Sequence, residues 1–237
     1  MNIFSLVLPC FNEGENIDKL LDVVTKLKKT SDDLEVVIVE NGSTDNSIIR
    51  IKNHQAYKKD YITLVEVEKN LGYGHGIMAG LNKSSGKYIG WCHADLQNNI
   101  EDIYNIFKEK FSELEKENTV LKGRRMNRGI IDIFFTNGMS FFVNILFKSK
   151  FTDINAQPKI FHRDFLKLLS DPPIDFSLDL YILLTAKINN YKIIEHPLIV
   201  HKRIAGQAKG GGTIFTKIKL TSRTLSYIYK IKKSGKF

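Results

Sequence analysis

Short runs of apolar and β-branched residues alternate with longer segments whose apolar residues recur at helical spacing. The runs in the first half of the chain are residues 3–8, 34–39, 62–67 and 88–92. The helical segments are residues 15–28, 43–51, 74–81 and 100–111. Farther along, the pattern predicts strands at 156–161 and 193–200 and a helix at 178–188. This alternation is typical of an α/β fold with a mostly parallel central sheet flanked by helices.

Residues 130–147 are rich in large apolar side chains but are interrupted by Asp132, Asn137, Gly138 and Asn144. A membrane-spanning helix needs about 20 predominantly apolar residues. We therefore interpret this segment as a core or interfacial helix rather than a spanning one. A packed core helix is the default expectation.

The chain has 237 residues, enough to bury a sizeable core as one large domain. Its two cysteines, Cys10 and Cys92, match no metal-binding spacing, so we expect buried thiols in a reduced, cytoplasmic protein. The first residues lack the basic start of a secretory signal. We therefore expect a soluble or peripherally bound protein.

The net charge of +9 is concentrated at the end of the chain, where ten Lys or Arg and no acid follow Glu195. Residues 213–233 predict a basic amphipathic helix, which could lie on an anionic membrane surface. Charge alone would also suit nucleic acid or a phosphate-bearing substrate. Nucleic-acid binding would leave the polar strand ends described next without a role, so we do not expect it.

Polar residues follow each of the first four predicted strands. They are Pro9, Asn12 and Glu13; Glu40, Asn41, Gly42, Ser43 and Asp45; Asn70, Gly72, Gly74 and Gly76; and His93, Asp95 and Gln97. Ligands of open parallel sheets bind at the carboxyl ends of the strands, so these residues should converge on one crevice.

The last of these strand ends presents Asp95 and Gln97 on one side, because alternate residues of an extended chain point the same way. A carboxylate and an amide oxygen suit a hard divalent cation, Mg²⁺ or Mn²⁺, that also binds phosphate oxygens and water. His93 could instead line a bound nucleotide.

The segments LVLPCFNEGENI, VVIVENGSTDNS, NLGYGHGIMAGLNKSSGKYIGW and HADLQ occur in the order and spacing of family 2 glycosyltransferases, which the first 125 residues resemble. The resemblance implies a GT-A type nucleotide-sugar fold. Residues 1–200 would form a single catalytic domain, with a nucleotide-sugar half at 1–97 and an acceptor half at 98–200. Residues 201–237 would form a basic C-terminal segment. Glu40 and His93 stand where the family usually has aspartate.

The later chain resembles the polyprenyl-phosphate (dolichyl-phosphate mannose-type) sugar transferases. The similar segments are KGRR at 122–125, DINAQPKIFHR at 153–163, DFSLDL at 175–180 and RIAGQAK at 203–209. Gln157 and Pro158 replace the Gly-Phe that is usual in that branch, and Ala208 replaces a serine.

The resemblance implies a role for each candidate residue. Nucleotide-sugar contacts would come from Pro9, Asn12, Glu13, Glu40, Gly42, Ser43, Gly74, His93 and Asp95. The metal would be held by Asp95 and Gln97, the donor diphosphate by Arg203 and Lys209, and the acceptor phosphate by Arg124, Arg125 and Lys159. Asp95, Asp179, Arg203 and Lys209 would be the catalytic residues.

The implied reaction is an inverting transfer of a sugar from a nucleotide diphosphate to a polyprenyl phosphate at the cytoplasmic membrane face. A phosphate is already ionised near neutral pH and needs no general base. A glycan hydroxyl is the alternative acceptor and would need a carboxylate such as Asp153, Asp175 or Asp179. A third interpretation is a degenerate, non-catalytic nucleotide-sugar-binding protein, because His93 replaces an acid.

Overall fold

A computed structural model describes residues 3–116, 118–201, 214–233, 235 and 237. Within these residues, seven strands form one sheet in the order β3-β2-β1-β4-β6-β5-β7. The strands are β1 (Phe4–Cys10), β2 (Leu34–Asn41), β3 (Thr63–Val67), β4 (Tyr88–Trp91), β5 (Thr119–Arg125), β6 (Lys159–His162) and β7 (Lys192–Leu198).

Helices flank this sheet. The α-helices are α1 (Gly14–Lys28), α2 (Ser47–Asn53), α3 (Gln55–Lys58), α4 (Tyr73–Lys83), α5 (Ile100–Glu109), α6 (Phe111–Lys116), α7 (Ile130–Phe147), α8 (Leu178–Ile188) and α9 (Ile214–Lys233), with a 3₁₀ helix at Arg163–Leu168. The predicted α/β fold, a mostly parallel sheet between helices, is confirmed.

The first four strands pair in parallel, as the alternating pattern predicts. Strand β1 is buried along nearly its whole length because helices cover both faces of the sheet. Separate hydrophobic clusters fill the two faces, one centred on α1 and α5 and the other on α4 and α8. Cys10 and Cys92 are buried free thiols, as expected.

Strand β6 runs antiparallel between β4 and β5, while β5 and β7 are parallel. The predicted strand at 156–161 begins later, at Lys159. Pro158 has no N–H for the sheet, so it is poorly suited to a central strand. As a result, Gln157 precedes the strand.

Helix α7 has the predicted extent, but the expectation that it is packed core is wrong. By length and composition alone, α7 could cross a membrane, and it is the one such helix among the described residues. Only 17% of it is buried. Ile130, Phe134, Phe141 and Ile145 are 86%, 76%, 68% and 61% exposed.

Helix α7 has three faces: one packs against the protein, one faces a cleft and one is exposed. Ser140, Val143 and Phe147 are the buried residues of α7, and the last two join a cluster with α8 and α9. Asp132, Phe135, Thr136 and Met139 face a cleft. At 3.6 residues per turn, the exposed residues lie on the side opposite the cleft.

Helix α9 confirms the predicted C-terminal helix, but its apolar side is divided. Ile228 and Ile231 are buried against α7 and α8, whereas Ile218, Leu225 and Tyr229 are exposed. Lys219, one of the cations of the predicted basic helix at 213–233, has a side chain outside the described part of the chain. The proposed division into residues 1–200 and 201–237 stays a prediction.

We predict that Gly74→Ala destabilises the protein, because its new Cβ would lie 2.2 Å from the Pro173 carbonyl oxygen. The expected loss is about 1–3 kcal/mol, the usual cost of overpacking, measured by urea unfolding. Gly138→Ala in α7 is the matched control, since its Cβ would meet nothing within 4 Å. It should stabilise by about 0.5–1 kcal/mol. Equal effects of the two variants would contradict this interpretation.

Candidate active site

A cleft of about 830 Å³ opens at the carboxyl ends of the first strands. Seven of the predicted site residues line it: Pro9, Glu13, His93, Asp95, Gln97, Arg125 and Asp179. The sequence therefore identified residues from four separate segments that the fold brings to one surface. Tyr73, Arg128, Gln157 and Phe176 also line this cleft.

The end of β4 holds Asp95 and Gln97 in a tight local structure. Asp95 is 4% exposed, and its Oδ1 accepts the backbone N–H of Gln97 at 3.1 Å. The Gln97 side-chain Nε2 donates to the His201 carbonyl at 3.2 Å, and the His201 N–H donates to the Gln97 carbonyl at 2.9 Å. A carbonyl only accepts hydrogen bonds, so the Gln97 amide must present its nitrogen to His201.

This orientation leaves Gln97 Oε1 as the remaining polar atom of the amide, and both Asp95 and Gln97 line the cleft. Among the described residues no cluster of three His, Cys, Asp or Glu side chains could enclose a metal ion. Two oxygen ligands suit Mg²⁺ or Mn²⁺ that takes its other ligands from a diphosphate and water. The donor set of Asp95 and Gln97 therefore fits the predicted cation.

His93 packs against an aromatic pair that lines the same cleft. Its ring lies 5.5 Å from that of Tyr73, which stacks on Phe176 at 4.5 Å. This placement is compatible with the prediction that His93 lines a bound nucleotide.

Four of the predicted nucleotide ligands instead join the loops after β1 and β2. The Asn12 N–H donates to Ser43 Oγ at 3.0 Å, and the Ser43 N–H donates to Glu40 Oε1 at 2.7 Å. Gly42 has φ of +67°, and a Cβ there would lie 2.5 Å from the Asn70 nitrogen. Asn12, Glu40, Gly42 and Ser43 shape these loops and lie outside the lining of the cleft, so their predicted contacts with a nucleotide stay a prediction.

Gly74 also differs from its predicted role. It lies outside the cleft lining and packs against the backbone of residues 173–175, where no Cβ would fit. The next N–H, of His75, donates to the Ile174 carbonyl at 3.1 Å. The glycine therefore allows a close approach of two chain segments.

Lys159 was expected to face the acceptor phosphate, and the structure overturns this. The side chain is fully buried, and its Nζ donates to the carbonyls of Ile154 at 2.9 Å and Ala156 at 3.0 Å and to Asp179 Oδ1. An ammonium has three donors, so none remains for a phosphate. Burial lowers the pKa of Lys159, although the Asp179 carboxylate acts to raise it. We correct its role to positioning Asp179.

Asp179 is part of a wider network under the cleft. The Tyr73 oxygen receives the indole N–H of Trp91 at 3.2 Å and the side-chain amide of Gln157, and the Asp179 charge acts on the Tyr73 phenol. Burial, reinforced by the Asp179 charge, raises the pKa of the Tyr73 phenol well above its ordinary value. Tyr73 therefore keeps its proton.

The two arginines at the end of β5, Arg124 and Arg125, differ in their exposure and contacts. Arg124 is exposed and lies outside the cleft lining, so its predicted acceptor role is not supported. Arg125 lines the cleft and makes two-point contact with Asp153. Burial acts to raise the pKa of Asp153, but the hydrogen bonds from Arg125 outweigh it and hold the pKa below its usual value.

Arg128 is a cleft residue that the sequence interpretation missed. It lies 3.7 Å from Asp153 and 3.8 Å from Asp132, and 17% of its side chain is exposed. Its spacing from Asp132, four residues away at the start of α7, is a helical pairing that could have indicated its position. No feature of the sequence indicated that Tyr73 would line the cleft. The predicted diphosphate ligands Arg203 and Lys209 lie outside the described residues.

The open α/β sheet with a polar cleft at its strand ends is the architecture of a nucleotide-binding domain. The family model "Glycosyl transferase family 2" matches residues 5–164, so the chain belongs to that family.

Named relatives and solved structures agree with this assignment. The chain is 29% identical over 147 residues to an undecaprenyl-phosphate 4-deoxy-4-formamido-L-arabinose transferase of Proteus mirabilis, covering 62% of this chain and 43% of that protein. It is 31% identical over 126 residues to a dodecaprenyl-phosphate galacturonate synthase of Rhizobium johnstonii, covering 52% of this chain and 36% of that one. The chain thus spans less than half the length of these relatives.

Among solved structures, glucosyl-3-phosphoglycerate synthase of Mycobacterium tuberculosis superposes with a TM-score of 0.73. The match covers 97% of this chain and 79% of that one at 15% identity, which establishes a shared fold. That protein was crystallised with Mn²⁺, uridine diphosphate and glucosyl-3-phosphoglycerate.

We predict that Lys159→Met destabilises the protein by about 3–5 kcal/mol, because it leaves the buried Asp179 carboxylate without its cation. Urea unfolding followed by circular dichroism measures this loss. Lys167→Met is the control, since Lys167 pairs with Asp164 at 2.6 Å on the surface and should change stability little. A Lys159→Met protein as stable as the control would mean that the pair does not hold the floor of the cleft.

Proposed function

We propose that the protein transfers a sugar from a nucleotide diphosphate to a polyprenyl phosphate. The donor diphosphate would lie beside Asp95 and Gln97, which would hold the divalent cation. A cation at this position would neutralise the charge that develops on the leaving diphosphate. The Mn²⁺ and uridine diphosphate in the structurally similar synthase support a donor of this class.

The observation that carries the acceptor assignment is that the three carboxylates considered as general bases are all engaged. Asp179 pairs with Lys159, Asp153 pairs with Arg125, and Asp175 Oδ1 accepts the Ser177 N–H at 2.8 Å. A sugar hydroxyl must lose a proton as it attacks. A phosphate monoester has a second pKa of about 6 and is already an anion, so a phosphate acceptor suits this cleft better.

Arg125 and Arg128 would bind the acceptor phosphate. Both line the cleft, and guanidinium groups suit phosphate oxygens because their planar fork matches two oxygens at once. Their pairing with Asp153 holds the two side chains in place before a substrate arrives. In this arrangement the acceptor oxygen attacks the anomeric carbon while the nucleoside diphosphate departs, and the configuration inverts. The protein contributes position and charge.

The test is transfer of radiolabelled sugar from UDP-, GDP- and dTDP-sugars to undecaprenyl phosphate, with Mg²⁺ or Mn²⁺. We expect lipid-linked product, and a fall in rate of about a hundredfold or more in Asp95→Asn, because electrostatic stabilisation of the leaving group is lost. Asp102→Asn, an exposed carboxylate on α5, is the control and should keep full activity.

The other outcomes separate the alternatives. Product on an oligosaccharide but not on the lipid phosphate would show that the acceptor is a glycan hydroxyl. Donor binding without transfer to either acceptor would indicate a non-catalytic nucleotide-sugar-binding protein.

A lipid acceptor also requires contact with a membrane, and we propose that the exposed face of α7 provides it at the cytoplasmic side. This face carries the exposed side chains of Ile130, Phe134, Phe141 and Ile145. Exposed Lys148 and Lys150 follow the helix, and Lys232 Nζ of α9 bonds to the Leu146 carbonyl at 3.1 Å. Apolar residues beside cations suit an anionic lipid surface. The opposite face of α7 lines the cleft. The phosphate of a lipid in the membrane would therefore lie close to the cleft.

We therefore predict that the double variant Phe134→Ser and Phe141→Ser binds vesicles of phosphatidylcholine and phosphatidylglycerol at least tenfold more weakly in a flotation assay. Each phenyl group that enters the lipid contributes about 1.5–3 kcal/mol. Ile49→Ser on α2, where the side chain is 60% exposed, is the control and should bind as the wild type does. Unchanged vesicle binding would show that this face does not bind the membrane. A wild-type dimer that becomes monomeric in the double variant would assign the face to a second copy of the chain.

A further inference from the structure

Gln157 places a buried amide in the wall of the cleft. The side chain is 3% exposed and lies in the cleft lining. Its Oε1 has no hydrogen-bond partner among the described residues. A buried amide oxygen without a partner is costly unless a ligand satisfies it.

The hydrogen-bond network fixes which end of the Gln157 amide is unpartnered. The indole N–H of Trp91 can only donate, and the Asp179 carboxylate can only accept. The Tyr73 oxygen therefore accepts from Trp91 at 3.2 Å and can accept a second hydrogen bond. Gln157 donates that bond through Nε2, so its oxygen is the end without a partner.

The backbone at Gln157 is also held firmly. The Gly123 N–H of β5 donates to the Pro158 carbonyl at 2.9 Å. A Cβ on Gly123 would lie 2.1 Å from the Gln157 carbonyl oxygen, so the two segments are in direct contact. The amide is therefore fixed at both the main chain and the side chain, which is the preorganisation expected of a specificity contact.

The position of Gln157 relates it to the donor site. Tyr73 contacts both Gln157 and His93, and His93 stands two residues before Asp95 at the end of β4. The amide thus lies one side chain away from the strand end that would hold the diphosphate. The next group along a nucleotide-sugar donor is the transferred sugar.

We propose that Gln157 Oε1 accepts a hydrogen bond from a hydroxyl or N–H group of the transferred sugar and so determines which sugar is bound. Tyr73 is the positioning residue that turns the amide oxygen toward it. This inference rests on the proposed transferase function and names the residue that selects the donor.

The test is binding of intact donors in the absence of acceptor, measured by calorimetry with Mn²⁺. The probes are UDP-glucose or GDP-mannose, whichever raises the melting temperature more, its four monodeoxy analogues and the free nucleoside diphosphate. In the wild type one analogue should bind about tenfold more weakly, because a buried acceptor is left unpaired. In Gln157→Met all analogues should bind alike, while affinity for the nucleoside diphosphate stays within about twofold.

Two further variants keep the test decisive. Gln55→Met, the same substitution at an exposed position of α3, should keep the wild-type preference. Tyr73→Phe should weaken the preference in the same direction as Gln157→Met, since the amide loses its acceptor.

Specific outcomes overturn the inference. A wild type indifferent to all four deoxy positions, or a Gln157→Met protein that keeps its preference, would overturn it while leaving the transferase assignment intact. A Gln157→Met protein that loses affinity for sugar donor and nucleoside diphosphate alike would show a purely structural role. A wild type that binds neither donor nor diphosphate would count against the proposed function itself, and this inference would fall with it.

Discussion

The buried pair of Lys159 and Asp179 is the interaction on which the floor of the cleft depends. Removing an ammonium and a carboxylate from water is costly, and the cost is met only when both groups are fully hydrogen-bonded. Here two carbonyls complete the hydrogen bonding of the ammonium, and the Asp179 charge acts on the buried Tyr73 phenol. The pair joins β6 to α8 and fixes Tyr73, which in turn orients Gln157. A substitution at any one of these residues would therefore alter the positions of the others.

The same arrangement restricts the chemistry of the cleft. Two of the carboxylates that line it are paired with cations, Asp179 with Lys159 and Asp132 with Arg128. A site built in this way contributes position and electrostatic complementarity rather than proton transfer. An anionic acceptor is therefore well matched to it. In the proposed reaction, Asp95 and Gln97 would complete the site, because a leaving diphosphate requires neutralisation at the opposite side of the reacting carbon.

Local sequence patterns predicted the sheet well, because it depends on short-range periodicity. The extended chain expected at Asp95 and Gln97 is wrong, since β4 ends at Trp91 and Leu96 has a φ of +58°. The position of Lys159 could not be predicted in this way. Its burial results from β6 lying between β4 and β5, a pairing between segments far apart in the chain. Gly74 was misassigned for a related reason, since its partner is the backbone of residues 173–175. A glycine-rich turn has the same sequence whether it approaches a ligand or another chain segment.

Helix α7 shows why apolar content alone did not determine burial. Its cleft face carries Asp132 and Thr136, and these polar groups must remain at an open surface. Ile130, Phe134 and Phe141 lie on the other side of the helix, so turning them into the core would rotate the cleft residues out of the site. Exposure of this apolar face is thus a consequence of building the cleft wall from the same helix. A partner that covers it, such as a bilayer, would lower the cost of exposure without disturbing the residues that face the substrates.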